Sequence, residues 1–450
     1  MNKLSQEIFE STYQFNGESV EGMWTRVARN LASKETDIMH ELHFYNALED
    51  FKFIPAGRIL SNAGTGYKGT SYINCFVSGF RGEDQDSMEG ILAELRRQAL
   101  ILKSEGGYGF CASVLRPKGA MIEGIGSSTP GMVRFLDMWD TQSGVITQGS
   151  GVEQEGGKKK IRKGAQMVTA YCWHPDIEEF ITAKQTPNRL TKFNMSVLVT
   201  DEFMEAVRDN KIWELKFPDF SADKEFYKKN WNGDIKSWTG KIKVYKTLQA
   251  RDLYDLMMKS AYNRAEPGIL FIDTINDNNN LRHVEVINAT NPCGEQPLPV
   301  GGACLLGSIN VTQFIRNDFL DWDYEKLEQH IPSIVRMLDN VIEHTFMPLP
   351  EQYDEIRNKR RIGIGATGLG SALIMMGVEY GSEESLRLVD NYFKFVTNKI
   401  YQASSMLAKE KGTFPLWDLD NFMDTYFGEK ILSEETIEMI KEYGLRNSHL

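Results

Sequence analysis

Apolar residues near the start of the chain recur at helical spacing. Ile8, Val20, Met23, Val27, Ala28 and Leu31 predict mainly helical structure over residues 1–50. Pro55, Gly57 and the run Ser61-Asn62-Ala63-Gly64-Thr65-Gly66 then predict a loop-rich entry into a main body, 51–450. A helix follows, with Asp86 as N-cap and Glu89 three residues on in a capping-box-like start. Met88, Ile91, Leu92, Leu95, Ala99 and Leu102 form its predicted apolar face, and Gly106-Gly107 ends it. Residues 119–164 are polar and glycine-rich, with one helix predicted over 132–141 and a loop at 149–157.

The apolar runs 167–171 and 195–199 each precede a helical pattern, which predicts βα units. Residues 210–245, rich in Lys, Asp and Trp, predict a surface excursion. Two long helices are predicted over 325–345 and 386–411. In the second, Leu386, Val389, Phe393, Val396, Ile400 and Leu407 make the stripe, and Gly412 stands where a C-terminal cap glycine belongs.

Composition narrows the function classes. The chain has 450 residues, 41% hydrophobic and 25% charged, which is ordinary for a globular protein. Its net charge of −11 repels a phosphate backbone, so nucleic acid is not an expected partner, although local cations could still gather a small anion. No apolar stretch approaches 18 residues and no export signal opens the chain, so neither a membrane nor export is expected and the cytoplasm is the expected location. Five cysteines without a C-x-x-C pattern predict reduced thiols rather than structural bridges. His40 and His43 are the only close histidine pair, with no cysteine near them, so no metal site is expected.

The chemically dense segment is Asn291-Pro292-Cys293-Gly294-Glu295-Gln296-Pro297. Its prolines favour an extended or loop backbone. If extended, Asn291, Cys293 and Glu295 share one side, setting a thiol between an amide and a carboxylate. The alternative is a turn with a buried small cysteine. Cys304 and Cys75 could add a dithiol, or could be two core cysteines; spacing alone does not bring them together.

The run Asn291-Pro292-Cys293-Gly294-Glu295, followed by Gly301-Gly302-Ala303-Cys304-Leu305-Leu306-Gly307-Ser308-Ile309-Asn310, closely resembles the active-site region of the ribonucleotide reductase catalytic subunit. Pro55-Ala56-Gly57-Arg58 to Cys75, Leu115-Arg116-Pro117-Lys118-Gly119, His174-Pro175-Asp176-Ile177 and Arg361-Ile362-Gly363-Ile364-Gly365 resemble that family in the same order. The resemblance implies a ten-stranded α/β barrel of two five-stranded halves with a catalytic finger loop, here without its last strands and preceded by a short helical segment.

It also implies roles. Cys293 would be the thiyl-radical residue, Glu295 the base at the 3′-hydroxyl and Asn291 a substrate hydrogen-bonding group. Cys75 and Cys304 would be the dithiol, reset by exchange with a thioredoxin- or glutaredoxin-type reductant. Ser61 would lie near the substrate phosphates, Asn74 beside the substrate and Arg162 near its base. Asp86 would hold the sugar of a deoxynucleoside triphosphate or ATP effector and Arg116 would meet its phosphates, with Ser87 also in the effector site. Segments 117–126 and 148–165 would be the specificity loops. The second carries Lys158-Lys159-Lys160-Ile161-Arg162-Lys163, read either as cations facing phosphate or as a solvated charge run.

The radical source implied is adenosylcobalamin or a separate metal-radical subunit, and a homodimer is expected. Two features the family usually carries have no counterpart in the sequence: an N-terminal ATP-binding regulatory domain, and a C-terminal part with the phosphate loop and tail. The expectation is a chain that needs a complementing C-terminal chain and does not turn over alone, with specificity control but no overall dATP control. Two alternatives stand beside this reading. Gly363-Ile364-Gly365-Ala366-Thr367-Gly368 satisfies G-x-G-x-x-G and would suit an NAD-dependent oxidoreductase, although the preceding run 356–361 is too polar for a central strand. A non-catalytic, nucleotide-binding regulatory fragment is the other.

Overall fold

The computed structural model describes residues 2–122, 126–148 and 165–450. These fall into two compact units. One comprises residues up to 74, 279–283 and 303–450; the other comprises 75–278 and 284–302.

The second unit is built on five parallel strands, in the spatial order Gly268–Phe271, Phe193–Val199, Gln166–Tyr171, Gly107–Cys111 and Cys75–Val77. The central strands are buried along almost their whole length, as a parallel sheet covered on both faces requires. The predicted βα units are present: Gln166–Tyr171 leads to the helix Ile177–Thr182, and Phe193–Val199 to Asp201–Arg208. Together they form one half-barrel of the mixed α/β fold.

Two helices preceding the central strands depart from their predicted form. The first spans Met88–Lys103, but its N-cap is Ser87, whose side chain accepts from the Gly90 N–H. Asp86 is instead drawn beneath the surface by an ion pair described below. The buried face is Ile91, Glu94, Leu95, Gln98, Ile101 and Leu102, leaving Met88 and Leu92 56% and 50% exposed. Tyr108 Oη donates to Glu94 Oε1 at 2.7 Å and Gln98 Nε2 to the Trp139 carbonyl at 3.0 Å. These bonds satisfy the polar groups and let them take the core positions that apolar periodicity had assigned elsewhere. The second helix runs Met132–Gln148, longer than predicted.

Residues 210–245 are more than a solvated excursion. Strands Ile212–Pro218 and Ile242–Gln249 pair antiparallel and flank the helix Lys224–Asn230. Phe217, Tyr227 and Trp231 are buried in one aromatic cluster, and Trp213 and Leu215 are buried as well, Trp213 with its ring against Phe203. The lysines face water while the aromatic rings pack, a division that composition alone does not reveal.

The first unit holds the expected N-terminal helices, among them Val20–Ala32 with Met23, Val27, Ala28 and Leu31 buried; Ile8 is exposed. Strand Leu306–Asn310 pairs antiparallel with Phe53–Pro55 and parallel with Gly363–Thr367. Helices Tyr324–His344 and Glu383–Lys411 match the predicted pair, and Gly412 caps the latter at φ 82°. Leu386 and Phe393 of the predicted stripe are exposed; Leu388 and Tyr392 are buried instead, with Val396, Ile400 and Leu407 as predicted.

Candidate active site and nucleotide pocket

The Asn291–Glu295 segment is the tip of a hairpin rather than an extended strand. Strands Ile287–Thr290 and Pro297–Pro299 pair antiparallel. The Asn291 N–H donates to the Gln296 carbonyl at 3.1 Å, and the Gln296 N–H returns a bond to Asn291 Oδ1 at 2.9 Å. Gly294 takes φ 87°, a conformation that favours glycine, and so lets the chain reverse. The turn separates what strict alternation would have placed together: Asn291 is fully buried at its base, whereas Cys293 is exposed at its tip. Burial first, and then the Glu295 carboxylate, push the Cys293 thiol above its ordinary range. The sulfur therefore keeps its hydrogen at neutral pH, which suits hydrogen-atom loss better than nucleophilic attack.

The hairpin is seated on three adjacent strands of the sheet. A Cβ at Gly109 would overlap the Thr290 carbonyl oxygen, and one at Gly107 would lie 2.6 Å from Pro292 Cγ. Thr169 Oγ1 donates to the Asn288 carbonyl at 2.7 Å, and Asn194 Nδ2 to the Pro292 carbonyl at 2.7 Å. Cys75, half-buried and in register with Gly107, brings its sulfur to 3.1 Å from the same hypothetical Cβ. Cys75 thus stands at the foot of the hairpin that carries Cys293.

Cys304 is buried on the short strand Ala303–Cys304, in the other unit. Ser61 and Asn74 also belong to that unit. Ser61 is buried in the helix Gly57–Asn62, its hydroxyl 3.2 Å from Asn62 Oδ1, and Asn74 Oδ1 accepts from the Arg58 N–H of the same helix at 3.3 Å. Cys111 and Cys172 are buried core thiols, and burial pushes Cys172 up to about 12.

A second constellation lies in the sheet unit. Arg116 Nε meets Asp86 Oδ2 at 2.6 Å, and Tyr227 Oη donates to the same oxygen at 2.9 Å. Arg116 Nη1 donates to the Met121 carbonyl at 3.3 Å, and its guanidinium lies over the Phe220 ring at 5.4 Å. Asp86 is 5% exposed, and burial raises its carboxyl above the usual range despite Arg116 and Tyr227. A cavity of about 200 Å³ opens over this pair, lined by Ser87, Arg116, Phe220, Lys224, Tyr227 and Lys228 among others. The start of a 16-residue helix and three cations converge on it, a setting that favours a small anion in a chain of net negative charge.

Asp176 fixes the chain entering this region, accepting from the Lys118 N–H at 3.0 Å and the Met132 N–H at 2.8 Å. Arg162, residues 123–125 of the first expected specificity loop and residues 149–164 of the second, including the Lys158–Lys163 run, lie outside the described residues.

Sequence reasoning missed the supports of both sites. Asn194 is a lone amide inside an apolar strand and could have been singled out on that ground. Tyr227 and Phe220 had as their signal the aromatic density of the excursion. The glycine motif at 363–368 takes a different form from a dinucleotide turn: its first five residues are the strand Gly363–Thr367, and Gly368 caps the following helix. A phosphate-binding turn needs those glycines between strand and helix, so the NAD reading loses its structural basis.

Family comparisons agree with this arrangement. The model described as "Ribonucleotide reductase, barrel domain" matches residues 73–450, and "Ribonucleotide reductase, all-alpha domain" matches residues 1–68. A vitamin B12-dependent ribonucleoside-diphosphate reductase of Mycobacterium tuberculosis (strain CDC 1551 / Oshkosh) is 35% identical over 84% of this chain and 49% of its own length. The enzyme so named from Thermoplasma acidophilum is 32% identical over 93% and 50%, respectively. A ribonucleoside-diphosphate reductase subunit alpha of Chlamydia pneumoniae is 30% identical over 94% and 40%. The chain spans about half the length of the curated relatives it matches. With the half-barrel, the cysteine-tipped hairpin and a family match running from residue 73 to 450, this chain belongs to the ribonucleotide reductase family.

Proposed function

We propose that the chain carries the radical chemistry of ribonucleotide reduction, converting ribonucleoside di- or triphosphates to 2′-deoxyribonucleotides; diphosphates are the substrates in its relatives' names. The observation that carries the proposal is the Cys293 thiol, exposed on a braced hairpin with Glu295 beside it and Cys75 at its foot. A radical source of the kind named above, adenosylcobalamin or a metal-radical subunit, would supply the oxidising equivalent that removes the Cys293 hydrogen atom. Some relatives are named vitamin B12-dependent and others simply subunit alpha.

In this mechanism the Cys293 thiyl takes the hydrogen atom from C3′, and the Glu295 carboxylate accepts the 3′-hydroxyl proton. Asn291 offers Nδ2, which has no hydrogen-bond partner in the turn. The 2′-hydroxyl leaves as water with a proton from the Cys75 and Cys304 thiols, which are oxidised together to a disulfide and supply two electrons and the hydrogen gained at C2′. The C3′ radical then takes its hydrogen atom back from Cys293, which regenerates the thiyl, and Glu295 returns its proton to the 3′-oxygen. An external thioredoxin- or glutaredoxin-type dithiol resets the pair. Ser61, Asn74 and Arg162 are assigned to the substrate, and Asp86, Ser87 and Arg116 to a deoxynucleoside triphosphate or ATP effector.

The whole reaction is assigned to this chain together with a complementing C-terminal part like the one its relatives carry beyond the matched half of their length. Residues 1–50 are read as a helical appendage to the barrel domain. A homodimer is assigned to the face where Met88 and Leu92 of one helix and Met138 and Val145 of its neighbour are exposed. The cytoplasm is the proposed location; among the described residues no helix is long and apolar enough to cross a membrane.

Product formation tests the reading. The chain, its complementing part, a radical source and dithiothreitol should convert ribonucleotide to deoxyribonucleotide. Cys293→Ser should abolish conversion while leaving the unfolding midpoint unchanged. Turnover retained by Cys293→Ser would overturn the assignment.

A further inference from the structure

Tyr227 is nearly buried and belongs to the helix Lys224–Asn230, in the aromatic excursion that the sequence marked as surface. Its ring packs between Phe220 at 6.0 Å, Trp231 at 6.4 Å and Trp238 at 5.9 Å. Its hydroxyl leaves this apolar cluster for one partner, Asp86 Oδ2, the oxygen that also holds Arg116. Asp86 Oδ1 is buried with no hydrogen-bond partner. The carboxylate is therefore held from one side only, and its orientation depends on Arg116 and Tyr227 together. Arg116 in turn is a cation of the cavity wall.

We infer that Tyr227 is a positioning residue of the nucleotide pocket, acting through Asp86 to aim the Arg116 guanidinium at the effector phosphates, so that the aromatic excursion forms a working wall of that pocket. This inference rests on reading the cavity as an effector site. Without the phenol hydroxyl, Asp86 keeps Arg116 as its single partner, and the pair is oriented only by the Arg116 bond to Met121 and its stacking on Phe220. A hydroxyl that merely filled a gap in the core would show no such dependence on Asp86.

Calorimetric titration of the 450-residue chain with dTTP, dATP and dGTP, for the wild type, Tyr227→Phe, Asp86→Asn and the double variant, tests it. The expected result is saturable wild-type binding, weakened by about ten-fold or more in Tyr227→Phe, as for the loss of one hydrogen bond to a charged group. In the Asp86→Asn background, Tyr227→Phe should add little, because residues acting as one chain are non-additive.

A pH series on Tyr227→Phe gives a readout that needs only the mildest variant. Arg116 from the segment after Gly107–Cys111, Asp84 from the preceding loop, and Tyr227 with Lys224 and Lys228 from the excursion all face Asp86 or its cavity. Removing the Tyr227 bond makes Asp86 easier to protonate, so binding should fail at a higher pH than in the wild type as the solution is acidified. Wild-type affinity and an unmoved pH profile in Tyr227→Phe would overturn the inference while leaving the effector site standing, as would additive losses in the double variant. Absence of wild-type binding to all three nucleotides would overturn the effector reading, and this inference with it.

Discussion

Cys75 Sγ and Pro292 Cγ converge on one backbone position: a Cβ at Gly107 would lie 3.1 Å from the first and 2.6 Å from the second. Pro292, the residue before Cys293, and a cysteine 217 positions earlier in sequence are thus packed against the same glycine. The packing joins the foot of the hairpin to the strand Cys75–Val77 through the central strand Gly107–Cys111.

Gly107→Ala should therefore destabilise the chain by about 1–3 kcal/mol, the usual range for overpacking a filled site. Gly109→Ala should be worse, because its Cβ would meet the Thr290 carbonyl, a backbone atom that cannot rotate away. Urea denaturation of the two variants checks the order. Equal midpoints would show that the hairpin is not seated as described.

Cys293 should alkylate slowly at neutral pH although exposed, because burial of its surroundings and Glu295 disfavour the thiolate. Mass spectrometry of iodoacetamide labelling against pH should show the rate still rising above pH 9. Glu295→Gln removes the negative neighbour, so several-fold faster labelling at fixed alkaline pH is expected. Unchanged labelling would place Glu295 too far from the sulfur to act on it. Cys111 and Cys172, both buried, serve as unlabelled controls.

Asn194→Ala removes the amide that donates to the Pro292 carbonyl. The expected loss of stability is about 0.5–1.5 kcal/mol, that of one ordinary hydrogen bond. The larger effect should be local: faster hydrogen exchange at the amides of Gly294 and Gln296, which close the turn onto Asn291. Uniform exchange changes across the sheet would argue instead for a global role.

Asp339 is nearly fully buried in the helix Tyr324–His344 and holds Arg360 Nε at 2.8 Å, Arg446 Nε at 3.3 Å and Asn447 Nδ2 at 3.0 Å. Asp339→Ala leaves the buried Arg360 guanidinium with Glu343 as its remaining acidic partner. A loss of about 3–5 kcal/mol is expected, as for other buried pairs deprived of one member. Thermal unfolding measures it, and a loss below 1 kcal/mol would show that Glu343 suffices.

The sequence by itself determined the local elements and the chemistry-bearing tip. Apolar periodicity placed the strands around 167–171 and 195–199 and the helices over 325–345 and 386–411, since burial on one face writes a repeat into neighbouring positions. Proline and glycine marked the loop character of the Asn291–Glu295 segment, and the residue types named its chemistry. What periodicity could not give was decided by contacts between distant segments. Asp86 reads as a helix cap, yet an arginine thirty residues on and a tyrosine in the excursion draw it inward as a charged anchor. Glu94 and Gln98 fall outside the predicted apolar face, yet Tyr108 and the Trp139 carbonyl satisfy them inside. Gly363 and Gly365 read as a phosphate turn, yet pairing with Leu306–Asn310 makes them strand. In each case a polar or small residue has several nearly equal local options. Only the partner supplied by the tertiary fold, whose hydrogen bonds and burial exceed those small local preferences, selects among them.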